Sequence, residues 1–234
     1  MNTFLRHFTT ALALMFPCHT TMAASEKPAD PLLELHARMS SAKKPAVLFV
    51  GNSYSFNAPR EFRTYASNRG KQVRVEQVTT GGWTLARHAA NEKTLKRIRE
   101  GHFDVVVIQE HSRIPSLPSS RREKLMAAPL HQLVEETRRQ GAIPVLYQTW
   151  GYRDGDRKLP DDDFHAMTRR LREGYQTAGK TENIAVVPVG DAWEREFSAG
   201  NSGKLFMPDG SHPSPYGNAV TARVFFETLF PQKR

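Results

Sequence analysis

Ala46-Val47-Leu48-Phe49-Val50-Gly51-Asn52-Ser53-Tyr54-Ser55 is the stretch on which the reading of this chain turns. The apolar run is short and rich in β-branched residues, which predicts a buried strand, and Gly51 marks the point where the chain must turn sharply. Ser53 then stands where a strand hands over to a helix. A serine in that position presents its hydroxyl at the open end of a sheet, where the first amides of the next helix are unpaired and point into the same space. Serine is a poor nucleophile alone and needs a base, and a third group to orient that base. Far downstream, Asp209-Gly210-Ser211-His212-Pro213 offers both, with His212 as the base and Asp209 as its orienting carboxylate. Either motif alone reads equally well as a polar turn.

Outward from this stretch the chain alternates. Strand-like runs recur at Val47 to Val50, Gln72 to Val78, Val105 to Gln109, Ile143 to Tyr147 and Ile184 to Val189, each separated by a segment of helical character. Met126, Leu130, Leu133 and Val134 repeat at helical spacing, as do Val220, Val224 and the neighbouring Phe225, so both segments should bury one face. Such alternation argues for an α/β fold with a parallel sheet covered on both faces, whose ligands sit beyond the carboxyl ends of the strands. Ser53 follows the first strand and so falls on that edge. Asp161 to Asp163 read as the start of a helix, where carboxylates offset the positive end of the dipole, rather than as metal ligands. No paired ligand spacing links His88, His102, His131 and His165, so neither a metal nor a cofactor is expected.

Composition narrows the setting. Arg6 and His7 precede an apolar stretch that ends near Thr21-Met22-Ala23-Ala24, which predicts a cleavable signal peptide over residues 1–24 and a secreted or periplasmic protein without stable membrane insertion. Residues 25–44 read as a linker or short packing helix, and residues 45–234 as one domain. Cys18, the chain's one cysteine, lies inside the signal, so a mature chain would have no disulfide, thiolate metal site or cysteine nucleophile. The whole chain carries 33 basic and 24 acidic side chains, a net charge of +9, which becomes +8 once Arg6 is removed. Basic clusters such as Arg121-Arg122, Arg138-Arg139 and Arg169-Arg170-Leu171-Arg172 fall in helical segments without interleaved aromatics. They read as solvated faces, and no nucleic-acid partner is expected.

Gly51-Asn52-Ser53 after strand one and Asp209-x-x-His212 before the last helix resemble the first and last conserved blocks of the SGNH (GDSL-like) hydrolase superfamily, in its branch of secreted or periplasmic members. The resemblance spans about residues 45 to 230. It implies a three-layer α/β/α, flavodoxin-like fold with a five-stranded parallel sheet, and a catalytic Ser53, His212 and Asp209. It further implies an oxyanion hole built from the Ser53 amide and a glycine amide of the second block, which matches Gly82 in Thr79-Thr80-Gly81-Gly82-Trp83-Thr84. The third block departs from the pattern: where the family places an asparagine, this chain reads Val107-Ile108-Gln109-Glu110-His111-Ser112, and Gln109 is the residue with an equivalent amide donor. Gln109 reads equally as a core-edge glutamine serving the backbone. Asn52, Trp83 and Trp150 are candidates for the substrate rim, where aromatic faces suit sugar rings as readily as acyl chains.

The function implied is an exported serine esterase acting on a small acyl group, such as an acetyl on a carbohydrate, so that the partner is a small-molecule or glycan ester. An acyltransferase, lipase or thioesterase would use the same triad. A non-catalytic carbohydrate- or envelope-binding protein on this scaffold is the alternative from another class.

Overall fold

The computed structural model describes residues 30–230. The expected signal peptide and residues 25–29 of the expected linker lie outside the described residues. Five strands form one parallel sheet: β1 (Ala46–Gly51), β2 (Arg74–Thr79), β3 (Val105–Ile108), β4 (Ile143–Tyr147) and β5 (Ala185–Val187), in the spatial order β2-β1-β3-β4-β5. All six residues of β1 are buried, as a strand with neighbours on both sides and helices on both faces must be. The edge strand β2 is only half-buried. β5 stops at Val187, short of the Val189 expected, because Pro188 has no amide to give the ladder and the next helix begins at Val189.

The helices are α1 (Pro31–Ser41), α2 (Ala58–Ser67), α3 (Leu85–Ala89), α4 (Glu92–Glu100), α5 (Ser119–Arg122), α6 (Ala128–Arg139), α7 (Phe164–Glu182), α8 (Val189–Glu196), α9 (Ser202–Leu205) and α10 (Pro215–Leu229). Side-chain alternation along the strands divides the interior in two. Val47, Phe49, Val105, Val107, Val145 and Tyr147 face α1, α2, α8 and α10, which contribute Leu35, Phe62, Trp193 and Phe225 among others. Leu48, Val50, Val106, Ile108 and Leu146 face α3, α4, α6 and α7, with Leu85, Ile98, Leu133 and Leu171. The three-layer α/β/α architecture follows from that division. Met126, Leu130, Leu133, Val134, Val220, Val224 and Phe225 are all buried, so both apolar helical repeats face inward.

Strand order reverses between β1 and β3, and it is beyond the carboxyl ends of the strands at such a point that this topology receives ligands. Local chemistry sets the helix starts around it. Thr84 caps α3 by accepting from the Arg87 amide, and Asp163 caps α7 by accepting from the Ala166 amide at 2.6 Å. Asp162, beside it, instead takes the Arg170 guanidinium in a two-pronged pair at 2.8 and 2.7 Å. Ser214 caps α10, and Pro215 supplies its pre-set first turn.

Candidate active site

Ser53 opens a single 3-10 turn, Ser53–Ser55, directly after β1. Asn52 fixes that turn by accepting the Tyr54 amide on its side-chain oxygen at 3.2 Å. The Ser53 hydroxyl lies 2.9 Å from Nε2 of His212, and Nδ1 of His212 lies 2.6 Å from a carboxylate oxygen of Asp209. The other Asp209 oxygen accepts the amides of Ser211 and His212, each at 2.9 Å. Burial acts upward on the Asp209 carboxyl, but these two amides and the imidazole outweigh it and hold the group below the usual carboxylate range. Asp209 therefore stays ionised and keeps the proton of the neutral imidazole on Nδ1, leaving Nε2 free to accept from serine.

The histidine loop is held from behind by rings. Tyr54, the residue after the serine, donates to or accepts from the Ser211 hydroxyl at 2.6 Å. Its ring stacks on Trp150 at 4.8 Å between centroids and stands edge-on to His212 at 5.5 Å. Trp150 donates from its indole nitrogen to the Ser211 carbonyl at 3.1 Å and stacks in turn on Trp193 at 3.7 Å. A column of three flat rings thus ties the serine turn to the histidine loop. Nothing in the isolated motifs announces it, because the rings come from three separated segments.

Gly82 has φ +69°, a conformation that L side chains rarely adopt, and a Cβ there would meet open space. Its turn is joined to the serine turn twice: the Thr80 amide donates to Gly51 O at 3.2 Å, and the Asn52 side-chain amide donates to Trp83 O at 3.1 Å. Neither the Ser53 amide nor the Gly82 amide has an acceptor among the described residues. Two free N–H groups on linked turns are what an oxyanion needs.

Three expected rim or oxyanion residues face elsewhere. Gln109 is buried beneath the serine turn, where its side-chain oxygen accepts from the Asn52 amide and the Ser55 hydroxyl, each at 3.0 Å. Its amide nitrogen donates to Asn52 Oδ1 at 3.1 Å and to the Glu110 carbonyl, so no donor remains for an oxyanion. Gly51 is required for this approach, because a Cβ would come within 2.5 Å of the Gln109 oxygen. Asn52 is also buried, with its polar atoms committed to Gln109, Tyr54, Trp83 and Glu110, and it touches no open surface. Trp150 is fully buried between Tyr54 and Trp193. Trp83 alone of the three rim candidates is half-exposed, and it packs edge-on against His88 at 5.0 Å.

Sequence reading passed over Glu110 and His88 as parts of the frame. Glu110 is fully buried, and one of its carboxyl oxygens accepts the Leu85 amide at 3.0 Å and the His111 amide at 2.5 Å. Burial, only partly offset by those two amides, pushes its carboxyl up to about 7. His88 donates from Nε2 to the Gly51 carbonyl at 2.8 Å, and burial lowers its affinity for a second proton. Phe56 is an exposed apolar side chain beside the glycine turn, 3.7 Å from where a Cβ on Gly81 would be. A groove of about 410 Å³ runs along Asp209, Gly210 and Ser211, walled by His111, Arg113 and Tyr152.

A flavodoxin-like parallel sheet with serine, histidine and aspartate hydrogen-bonded in series at the switch point defines an α/β protein of hydrolase architecture. A candidate SGNH hydrolase from Slackia heliotrinireducens is 30% identical, with 80% of this chain and 99% of that one covered at a TM-score of 0.64. The chain belongs to the SGNH hydrolase superfamily. A DUF4886 family protein from Bacteroides uniformis is 19% identical, covering 81% of this chain and 84% of that one at a TM-score of 0.71. An acetylxylan esterase from Geobacillus stearothermophilus is 17% identical, covering 80% and 96% at 0.62. These two likenesses concern the fold. No protein-family model and no curated protein matches the sequence.

Proposed function

We propose that this protein is an exported serine esterase that removes a small acyl group, an acetyl on a carbohydrate being the first choice. The observation that carries the reading is the unbroken series Ser53 Oγ, His212 Nε2, His212 Nδ1, Asp209 Oδ2, with spacings of 2.9 and 2.6 Å. His212 takes the proton as Ser53 attacks the acyl carbonyl. The oxyanion rests on the Ser53 and Gly82 amides, and His212 returns the proton to the departing alcohol. Water then repeats the path on the acyl-enzyme. The alcohol leaves beside the base, so the groove along Asp209 to Ser211 is its exit side, and Phe56 and Trp83 border the acyl side. The preference for an acetylated sugar draws on the acetylxylan esterase likeness, and the export on the amino-terminal sequence.

A non-catalytic binder has no use for an orienting carboxylate locked to an imidazole that in turn reaches a serine, and this favours the enzyme. Turnover of p-nitrophenyl acetate tests it. Wild-type protein should hydrolyse the ester and be labelled on Ser53 by an organophosphonate, and Ser53→Ala should lose both. Full activity in that variant, or label on another serine, overturns the assignment. Asp209, held below its ordinary range, should stay charged and keep its contact with His212 Nδ1 well into acid.

A further inference from the structure

The basic clusters of the sequence are largely neutralised in the fold. Arg122 pairs with Glu173, Arg138 with Glu135, Arg139 with Glu136, Arg170 with Asp162, and Arg172 with Asp191 and Glu194. A local concentration of positive charge lies elsewhere. A groove of about 470 Å³ runs between α2 and the edge strand β2, and its ten lining residues include four cations, Lys44, Arg63, Lys71 and Arg74, and no acid. Arg74 is engaged with Glu76 and with the carbonyls of Gly101 and His102. Among the described residues, Lys44 and Arg63 are exposed and have no ion pair or side-chain hydrogen bond, and the Lys71 ammonium meets only the Phe230 ring, at 5.4 Å. The nearby carboxylates are spent, Glu61 on Arg60 and Glu76 on Arg74 and Arg97.

We infer that this groove is a docking site for an acidic glycan, a polysaccharide carrying carboxylates along its chain. Charge complementarity calls for a polyanion. Thr64, Ser67, Asn68 and Gln72, between the cations, supply neutral donors and acceptors suited to sugar hydroxyls. A nucleic acid would want exposed rings on which to stack, and none lines the groove; the nearby Tyr65 ring is covered by the Arg69 guanidinium at 3.5 Å. A membrane presents a plane rather than a strand that could enter a groove, and no exposed large apolar side chain lies here to insert. The groove sits at the amino ends of β1 and β2, whereas Ser53 follows the carboxyl end of β1, roughly 20 Å away along six residues of strand. It is therefore a site separate from the serine, and it stands whether or not Ser53 is a nucleophile.

Polygalacturonate binding, measured by calorimetry on the full chain at several salt concentrations, tests it, with dextran as the neutral polymer. Wild type should bind polygalacturonate and not dextran. The triple variant Lys44→Ala, Arg63→Ala, Lys71→Ala should lose tenfold or more in affinity with a shallower salt dependence, while p-nitrophenyl acetate turnover stays as in wild type. Lys44→Arg with Lys71→Arg should bind like wild type, which separates lost charge from lost fold. A control triple at the exposed Lys93, Lys124 and Lys180, each changed to Ala, should change affinity less than twofold. Equal loss in both alanine triples would mean diffuse charge and overturn the site. Tighter binding of a single-stranded oligonucleotide or of phosphatidylglycerol vesicles would overturn the occupant. Unchanged glycan binding with new aggregation would mark the cations as edge-strand protection and overturn the proposal.

Discussion

Tyr54 shows how much of the site hangs on a residue that carries no chemistry of its own. Its hydroxyl meets Ser211 at 2.6 Å and its ring borders His212, so it sets where the imidazole stands relative to the serine next to it in sequence. Burial pushes the phenol well above its ordinary range, so it stays a neutral hydroxyl throughout the working pH. Tyr54→Phe removes one hydrogen bond worth about 1 kcal/mol, and kcat should fall roughly fivefold with KM nearly unchanged. Ser211→Ala should do the same, and the double variant should be no worse than either alone, since both remove one contact. Gln109 teaches the converse. Its place in the sequence suits an amide donor to an oxyanion, yet in the fold it serves the backbone of the serine turn. Gln109→Ala should leave the Asn52 amide and side-chain oxygen short of partners, costing about 1 to 3 kcal/mol in a denaturant melt.

At the scale of elements, the site consists of turns following β1, β2 and β3 plus the loop before α10, and Glu110 bonds two of these together. Its carboxyl takes the first amide of α3 and the amide of His111, and its second oxygen is buried without a partner among the described residues. Raised from 4.5 to about 7, the group is neutral in the folded protein and charged in the unfolded chain between those values. The unfolded state then binds fewer protons, so stability falls as pH rises through that window, by about 3 kcal/mol. Urea melts at pH 5 and pH 7.5 should show that loss in wild type and a much flatter response in Glu110→Gln. The Gly82 turn is the other element-level constraint. Gly82→Ala forces a side chain into φ +69°, costing about 1 kcal/mol or more in stability, and should lower kcat further by shifting the free amide.

Across the whole molecule, α10 joins the histidine loop to the core. It starts three residues after His212, and Phe225 within it contacts Phe49 of β1 at 5.0 Å and Tyr147 of β4 at 4.8 Å between ring centroids. Phe225→Ala should cost about 3 to 5 kcal/mol, read as a lowered melting temperature, because the ring is fully buried on three elements. The same layered arrangement was legible beforehand. β-branched runs and helical repeats state which faces must leave water, and alternation of strand and helix leaves the parallel sheet as the simplest way to bury them.

Periodicity and turn chemistry in the sequence alone determined the layers, the placement of Ser53 after the first strand and the pairing of Asp209 with His212 three residues on. These are local properties, set by spacing along one segment and by the needs of each residue's own backbone. Only the tertiary structure decided that Gln109 and Asn52 turn inward, that Trp150 is a strut under the histidine loop, that Glu110 is a buried staple, and that Lys44, Arg63 and Lys71 meet in one groove. Each depends on which distant side chain satisfies a hydrogen bond, covers a ring or neutralises a charge, and such partners are chosen by packing in space, where separation along the chain counts for nothing.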